Sequence, residues 1–261
     1  MKTTMYQVDA FADRQFEGNP AAVFPLDVWP EDCLLQAIAE ENNLSETAFF
    51  VMSDSGAEIR WFTPEAEVDL CGHATLAAAH VIFTHLKYLK DEIQFSSRSG
   101  KLSVKRTPEG YCMNFPASEP EPVEAPEALL RGLGDTPATV LAAFDYIVVL
   151  NSEEALRNLE PDFAAWLDLD LRGVIVTAKG DRHDFVSRAF FPKLRVNEDP
   201  VTGSAHCELV PYWAAAQEKE LFVARQLSKR GGTLHCRLQG DRVFLTGNCV
   251  DFMRAEVVIE G

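Results

Sequence analysis

Several features that define particular protein classes are missing from this sequence. No apolar run approaches the ~18 residues that a membrane-spanning helix needs, and the N-terminal stretch lacks the apolar core of a signal peptide. The six cysteines are scattered and none forms a C-x-x-C pair, so neither a zinc knuckle nor a thioredoxin-type motif is predicted. We therefore expect a cytoplasmic protein with reduced thiols and no membrane segment.

Basic residues are also in short supply. The chain has 24 Lys and Arg against 40 Asp and Glu, which gives a net charge of −16. Such a surface repels nucleic-acid phosphates and anionic lipid headgroups, so we expect neither nucleic acid nor membrane as a partner. If the ligand is itself an acid, a local feature of the site must compensate for this charge.

The remaining composition is that of a globular protein. With 261 residues, 47% hydrophobic and 25% charged, the chain can form a large core and one to two domains. Strand-like and helix-like patterns alternate, and helices are predicted over 31–42, over 74–83 with an extension to about 87, and over 205–217. Prolines concentrated in 116–138 predict a linker, with a domain boundary near residue 118.

One long-range repeat is present. Residues 60–74 and 188–205 both run strand, Phe-x-Pro, loop, Gly-x-Ala, helix. The matching residues are Arg60, Phe62, Pro64 and Val68 in the first copy and Arg188, Phe190, Pro192 and Val196 in the second. Because the order is shared over the whole stretch, we interpret it as a duplication. It predicts two similar lobes whose loops face each other across a cleft.

Both copies end in a Gly-x-Ala helix start, Gly72-His73-Ala74 and Gly203-Ser204-Ala205. Small residues let a ligand approach the backbone, and the first N–H groups of a helix have no intrahelical partner. Together with the helix dipole they attract anions, so the pair predicts a carboxylate site that needs no Arg or Lys. The alternative is that His73 and Ser204 only start their helices; capping and binding are compatible.

Four motifs in order along residues 9–205 carry a family resemblance. They are Asp9-Ala-Phe with Phe16-x-Gly-Asn-Pro-Ala-Ala-Val23, Leu44-Ser-Glu-Thr-Ala-Phe49, Cys71-Gly-His-Ala-Thr75 and Glu198-Asp-Pro-Val-Thr-Gly-Ser-Ala205. On these motifs the sequence resembles the phenazine-biosynthesis (PhzF-like) isomerase family of the diaminopimelate-epimerase-like superfamily.

The resemblance implies an α+β fold of two pseudo-symmetric, diaminopimelate-epimerase-like lobes, each a barrel-like β-sheet around a central helix. The expected N-terminal lobe covers 1–117, with a strand of about 250–261 returning to it, and the C-terminal lobe covers 118–249. The active site is expected in the cleft between them. The implied chemistry is proton transfer at carbon in a biosynthetic isomerase that uses no cofactor and no metal, acts on a small carboxylate-bearing substrate and forms a homodimer.

The resemblance also implies roles for individual residues. Glu46 matches the family's catalytic glutamate, and one carboxyl group can both remove a proton and return it if its pKa is raised toward neutrality. His73 matches an active-site histidine that relays protons or binds substrate. Asp199 is the third expected catalytic residue, although an aspartate before a proline is also a common turn residue. The expected substrate-binding residues are Gly72, Ala74, Gly203, Ser204, Ala205 and, at the Gly-Asn-Pro turn, Asn19.

Cys71 departs from the two-cysteine epimerases of the superfamily, which place one cysteine before each helix start. The second position here is Thr202, a poor acid or base at neutral pH. Cys71 is therefore a packing residue, a relic or a reactive thiol. Two alternatives to the glutamate isomerase remain open: a one-thiol epimerase or racemase that uses Cys71 with Glu46 or Asp199, and a non-catalytic protein that binds a small acid or a partner.

Overall fold

The computed structural model describes residues 2–134, 137 and 139–259. These residues form two compact units: one contains the described residues up to Asn114 and those from Thr246 onward, and the other is Phe115–Leu245.

The strands and helices are the following. The strands are β1 (Lys2–Ala10), β2 (Asn19–Leu26), β3 (Glu46–Ser53), β4 (Gly56–Phe62), β5 (Glu67–Val68), β6 (Glu92–Ser97), β7 (Gly100–Thr107), β8 (Gly110–Pro116), β9 (Glu121–Pro122), β10 (Thr139–Ala142), β11 (Tyr146–Val149), β12 (Val174–Lys179), β13 (Phe185–Phe191), β14 (Val196–Asp199), β15 (Leu221–Gln226), β16 (Gly232–Gln239), β17 (Arg242–Gly247) and β18 (Cys249–Val258). The helices are α1 (Asp32–Asn42), α2 (Gly72–Thr84), α3 (Glu127–Leu133), α4 (Glu153–Arg157), α5 (Phe163–Trp166) and α6 (Gly203–Gln217).

In the first unit a curved run of strands surrounds α2. Strand β1 pairs antiparallel with β2 and with β18, β2 runs parallel to β3, and β3 is antiparallel to β4. Strand β4 continues in parallel to β6, and β6, β7 and β8 form an antiparallel meander. Every side chain of α2 from His73 to Phe83 is buried, and the helix packs against β1, β2, β3 and β18. A helix that is apolar on all sides belongs in a core, and the run Ala77–Ala79 lets the strands approach closely.

The second unit repeats this pairing pattern. Strand β11 runs parallel to β12, β12 is antiparallel to β13, and β13 runs parallel to β15. The strands β2, β3, β4 and β6 of the first unit pair in the same order and directions. Helix α6 takes the place of α2. The duplication predicted from the sequence is confirmed, and it extends to an ion pair: Arg60 binds Glu67 and Arg188 binds Glu198, each through two guanidinium nitrogens.

The proline-rich segment 116–138 is not the linker that the sequence predicts. Strand β9 and helix α3 lie within it, and Leu129 and Leu133 are buried in the core of the second unit. Pro126 precedes α3 as its N-cap, where a missing N–H costs no helical hydrogen bond. Residues 135, 136 and 138 of the segment, and residues 260 and 261 of the expected returning strand, lie outside the described residues.

Several helix boundaries also differ from expectation. Helix α2 begins at Gly72 and ends at Thr84 rather than near residue 87, because Lys87 adopts a left-handed backbone conformation with φ of +54°. Helix α6 begins at Gly203, two residues before the predicted start. None of the described helices is long and apolar enough to cross a membrane.

Candidate active site

The first helix start brings together residues from two elements. Glu46 is the first residue of β3, and Cys71 is the N-cap of α2, held in an extended conformation with φ of −143°. The Thr75 hydroxyl donates to the Cys71 carbonyl at 2.6 Å, which fixes the chain at the turn into the helix. Cys71 does not cap the helix with its side chain, so the N–H groups of the first turn around Gly72, His73 and Ala74 keep their affinity for an anion.

His73 lies between a carboxyl group and a thiol. Its Nε2 is 3.2 Å from Glu46 Oε2, and its Nδ1 is 3.5 Å from Cys71 Sγ. The Nε2–Oε2 contact is close, although the two groups are not aligned as in a good hydrogen bond. The His73 side chain is 8% exposed and that of Glu46 is 20% exposed, so the carboxyl group is the member of this trio that solvent or substrate can reach more easily.

Burial controls the charge of His73. It lowers the pKa of His73 to about 3, so the imidazole is neutral at pH 7. The cause is the loss of solvation, because the ring is almost fully enclosed. A neutral imidazole carries one N–H and one lone pair, so it donates to one neighbour and accepts from the other. A change from one tautomer to the other moves the ring proton between Nε2, beside Glu46, and Nδ1, beside Cys71.

The trio also has the composition of a metal site. One ligand atom from each of Glu46, Cys71 and His73 lies within 4.8 Å of the others, and carboxylate, thiolate and imidazole are all zinc ligands. The sequence predicts no metal at this site. A metal titration of the protein must therefore distinguish binding at this trio from binding elsewhere.

Asn19 lies in β2 rather than in the predicted turn. Its side chain is fully buried, and it pairs with Ala10 at the end of β1. Two residues further along β2, Ala21 lies opposite Glu46. Gly18 has φ of +69°, and a Cβ at this position would lie 2.2 Å from the Ala10 carbonyl oxygen, so only glycine lets the chain enter β2 in this way.

The second helix start has the same backbone form. Thr202 is the N-cap of α6 with φ of −116°, in the position that Cys71 holds in the first unit. Its hydroxyl donates to Asp199 Oδ2 at 2.5 Å. The Gln226 side chain accepts from the Thr202 N–H at 2.9 Å and donates to the Asp199 carbonyl at 2.7 Å. Asp199 and the α6 start at Gly203 and Ala205 are thereby fixed relative to each other.

An arginine stands at this second helix start, contrary to the expectation of a site without Arg or Lys. Arg172 donates to Ser204 Oγ at 3.0 Å and to both carboxylate oxygens of Asp145, at 3.0 and 2.5 Å. The Asp145 side chain is fully buried, whereas 39% of the Arg172 side chain is exposed. Arg172 precedes β12 and is 32 residues from Ser204, so no local pattern connects the two.

The structure thus groups the predicted residues by unit. Glu46, His73 and the α2 start lie together with Cys71 in the first unit. Asp199, Ser204 and the α6 start lie in the second, together with Thr202, Gln226 and Arg172, which are not among the site residues predicted from the sequence.

The arrangement of strands around α2 and α6 is a known one. The chain matches a hydroxyproline epimerase from Agrobacterium vitis, crystallised with trans-4-hydroxy-L-proline, with a TM-score of 0.63 over 98% of this chain and 92% of that one. At 10% identity this likeness shows the fold alone. The fold is diaminopimelate-epimerase-like, as predicted.

Closer relatives define the family. A sequence model of the phenazine biosynthesis-like protein family matches residues 8–255, and the chain belongs to that family. An uncharacterized isomerase of Pseudomonas aeruginosa is 53% identical over 97% of this chain and 98% of its own. The crystal structure of a PhzF family protein from Enterococcus faecalis superimposes with a TM-score of 0.97 at 46% identity, over 99% of this chain and all of that one. The predicted family and the isomerase class are confirmed.

Proposed function

We propose that this protein is a cofactor-independent isomerase that moves a proton between two carbon atoms of a small carboxylate-bearing substrate, with Glu46 as the acid and base. The observation that carries the proposal is the position of Glu46 at 3.2 Å from a buried, neutral His73 at the start of α2. In the first step the Glu46 carboxylate takes a proton from a carbon atom, and the electron pair left behind is delocalised over the substrate. In the second step Glu46 returns the proton to a different carbon atom, so the reaction is redox-neutral and consumes nothing.

His73 supports both steps. With its proton on Nε2 it stabilises the Glu46 carboxylate, and with its proton on Nδ1 it presents a lone pair to a protonated Glu46. Because the ring is neutral, it does not hold Glu46 in a fixed ion pair, which would lower the basicity that the first step needs.

The second unit supplies groups suited to the acid end of a substrate. The N–H groups at Gly203 and Ser204 carry the positive end of the α6 dipole, and the Arg172 guanidinium, which is paired with Asp145, donates to the Ser204 hydroxyl. We assign substrate binding to these groups, and orientation of a polar substrate group to Asp199. The assignment of Asp199 and Ser204 rests on the family resemblance, and altered KM values in Asp199→Asn and Ser204→Ala enzymes would support it.

Hydrogen exchange tests the reaction directly. The enzyme is incubated in deuterated water with a panel of small amino and hydroxy acids that includes a dihydro-hydroxyanthranilate, the substrate type known in the family, and NMR follows exchange and isomerisation. Glu46→Gln abolishes both. Glu40→Gln, which removes the same charge from an exposed position on α1, leaves both intact. Full activity in the Glu46→Gln enzyme would exclude the mechanism, and binding of an acid without exchange would favour a non-catalytic binding protein.

A second mechanism is favoured by one contact. Cys71 Sγ lies 3.5 Å from His73 Nδ1, so the neutral imidazole can accept a hydrogen bond from the thiol and hold it in position. An epimerase that uses Cys71 as its base would lose activity in the Cys71→Ala enzyme and on alkylation, yet tolerate Glu46→Gln. Because Cys33 is exposed and Cys112, Cys207 and Cys249 are partly exposed whereas Cys71 is buried, mass spectrometry of the alkylated protein must show that loss of activity follows modification of Cys71.

The proposal includes a homodimer in the cytoplasm. Its support is the family resemblance, together with six cysteines that all lie among the described residues and form no disulfide there. Sedimentation equilibrium of the purified protein tests the dimer.

A further inference from the structure

A second cluster of ligand-type side chains lies in the first unit, apart from the Glu46–Cys71–His73 trio. His80 is in the last turns of α2, His85 is the C-cap of the same helix, and Asp251 lies on β18. Since seven residues separate His80 from His73, the two clusters are roughly 10 Å apart along the helix. No role in the proposed isomerisation falls to His80, His85 or Asp251.

The two imidazoles of this cluster converge on one carboxylate. His80 Nε2 is 3.0 Å from Asp251 Oδ1, and His85 Nε2 is 3.1 Å from Oδ1 and 3.0 Å from Oδ2. The three ligand atoms all lie within 4.8 Å of one another. We propose that His80, His85 and Asp251 bind one divalent transition-metal ion of the zinc type.

The distances and the ligand types fit such an ion. Ligand atoms bound at 2.0–2.2 Å in a tetrahedral site are about 3.3–3.5 Å apart, so the two imidazole–carboxylate separations of 3.0–3.1 Å need to open by only a few tenths of an ångström. Imidazole nitrogen and carboxylate oxygen are standard zinc ligands, and Asp251 compensates part of the metal charge. Without a metal, the Nε2 atoms of His80 and His85 can each donate a proton to Asp251 in a hydrogen bond. A bound ion takes the place of these protons.

Tyr111 acts as an outer partner of this site. Its hydroxyl lies 3.0 Å from His80 Nδ1 and 3.4 Å from Thr84 Oγ1. A hydroxyl can donate or accept, so Tyr111 can pair with His80 in either tautomer. In the metal-free protein Tyr111 donates to Nδ1 and the proton of His80 is on Nε2. When the ion is bound to Nε2, the proton of His80 is on Nδ1 and Tyr111 accepts it. Metal-ligating histidines in proteins almost always have such a partner on the other ring nitrogen.

The site is accessible to an ion from solution. The side chains of His80, His85 and Asp251 are 10%, 22% and 44% exposed, which leaves a coordination position for water. His85 is held by stacking on Tyr6, with ring centroids 4.6 Å apart. Bound metal would link the C-terminal end of α2 to β18, so its effect is on stability and not on the chemistry at Glu46.

Cobalt and zinc titrations test the proposal. The protein is freed of metal with EDTA and titrated with Co²⁺, whose visible absorption reports coordination by nitrogen and oxygen, and Zn²⁺ is then added as competitor. We expect one Co²⁺ per chain, displaced by Zn²⁺, and a melting temperature that rises with Zn²⁺ and falls again with EDTA. Absence of saturable binding would overturn the proposal.

Variants locate the ion. His85→Ala and Asp251→Asn should weaken Co²⁺ binding more than about 100-fold, and Tyr111→Phe by about 10–100-fold. His235→Ala, which removes an exposed histidine from β16, should leave the affinity unchanged. Circular dichroism confirms that each variant is folded. Unchanged affinity in His85→Ala, or a thiolate-to-cobalt charge-transfer band lost in Cys71→Ala, would contradict the proposal, the latter by placing the ion at the trio.

Discussion

His73 Nε2 lies 3.2 Å from Glu46 Oε2. His73 belongs to the start of a helix whose side chains are buried from His73 to Phe83, and Glu46 is the first residue of a strand, so the contact places the proposed base against the core of the first unit. His73 is thereby suited to hold Glu46 in position and to exchange a proton with it.

The first prediction concerns this contact. His73→Asn should lower kcat of the isomerisation by about 10²–10⁴-fold, because the proposed base loses its proton partner. KM should change much less, since His73 is almost fully enclosed. The measurement is the exchange rate in deuterated water for a substrate found with the wild-type protein. His235→Asn is the matched control, and wild-type kcat in His73→Asn would remove His73 from the mechanism.

The local parts of this site are predictable from the sequence. Glu46 and His73 stand in short motifs, and the repeat predicts matching helix starts because each copy folds through neighbouring residues. The Arg60–Glu67 and Arg188–Glu198 pairs each join a strand to its short antiparallel partner, but only their arginines match in the repeat, since the glutamates follow them by seven and ten residues.

The long-range parts are not predictable in this way. Arg172 reaches Ser204 because β12 and α6 are brought together by the core, and no spacing in the sequence expresses that contact. The sequence leaves the role of Cys71 open among packing, relic and reactive thiol, and only the geometry shows its thiol beside His73 Nδ1. The prolines of 116–138 do not by themselves distinguish a linker from a helix start, because they are typical of both, and the burial of Leu129 and Leu133 separates the two.

A second prediction concerns stability in acid. Burial lowers the pKa of His73 to about 3 and that of His206 to about 4, from an ordinary value of 6.5. The unfolded chain therefore binds more protons than the folded one between pH 6.5 and about 4. The free energy of unfolding should fall as the pH drops through this window, by up to about 1.4 kcal/mol per pH unit for each histidine.

Urea unfolding at pH 7 and pH 5 measures this effect. His206→Asn retains a donor for the Thr202 carbonyl, which His206 Nδ1 contacts at 2.8 Å. This variant should lose less stability between the two pH values than the wild type does. An equal loss in both proteins would show that His206 does not titrate as expected.

A third prediction concerns Glu208, which is buried in α6. Burial, followed by the negative charge of Asp145, raises the pKa of Glu208 to about 8 from 4.5. The folded protein thus retains a proton that the unfolded chain releases, so this group contributes stability below pH 4.5 that is lost progressively as the pH rises to about 8.

The Glu208→Gln variant isolates the contribution of Glu208 to the pH dependence of the free energy of unfolding. Glutamine has the same shape and can accept from the Asp145 N–H, which Glu208 Oε2 contacts at 3.2 Å, but it does not titrate. Between pH 5.5 and 8.5 the variant should lose less stability than the wild type in urea unfolding. Glu220→Gln, at an exposed position, should behave like the wild type. A wild-type pH dependence in Glu208→Gln would mean that another group carries the effect.

The last prediction concerns the turn that delivers Asn19 to β2. Gly18 and Gly134 have nearly the same backbone φ, +69° and +66°, but a Cβ at Gly18 meets the Ala10 carbonyl oxygen at 2.2 Å whereas a Cβ at Gly134 meets nothing within 4 Å. Both alanine variants are destabilised by about 1 kcal/mol because alanine disfavours a left-handed conformation. Only Gly18→Ala must also displace the backbone of Ala10. Gly18→Ala should therefore lower the free energy of unfolding by about 2–4 kcal/mol, against about 1 kcal/mol for Gly134→Ala.

Because Ala21 of β2 lies opposite Glu46, Gly18→Ala should also reduce the exchange rate at pH 7 under conditions where it remains folded. Equal destabilisation by the two variants would show that the chain relaxes around Ala10 without cost.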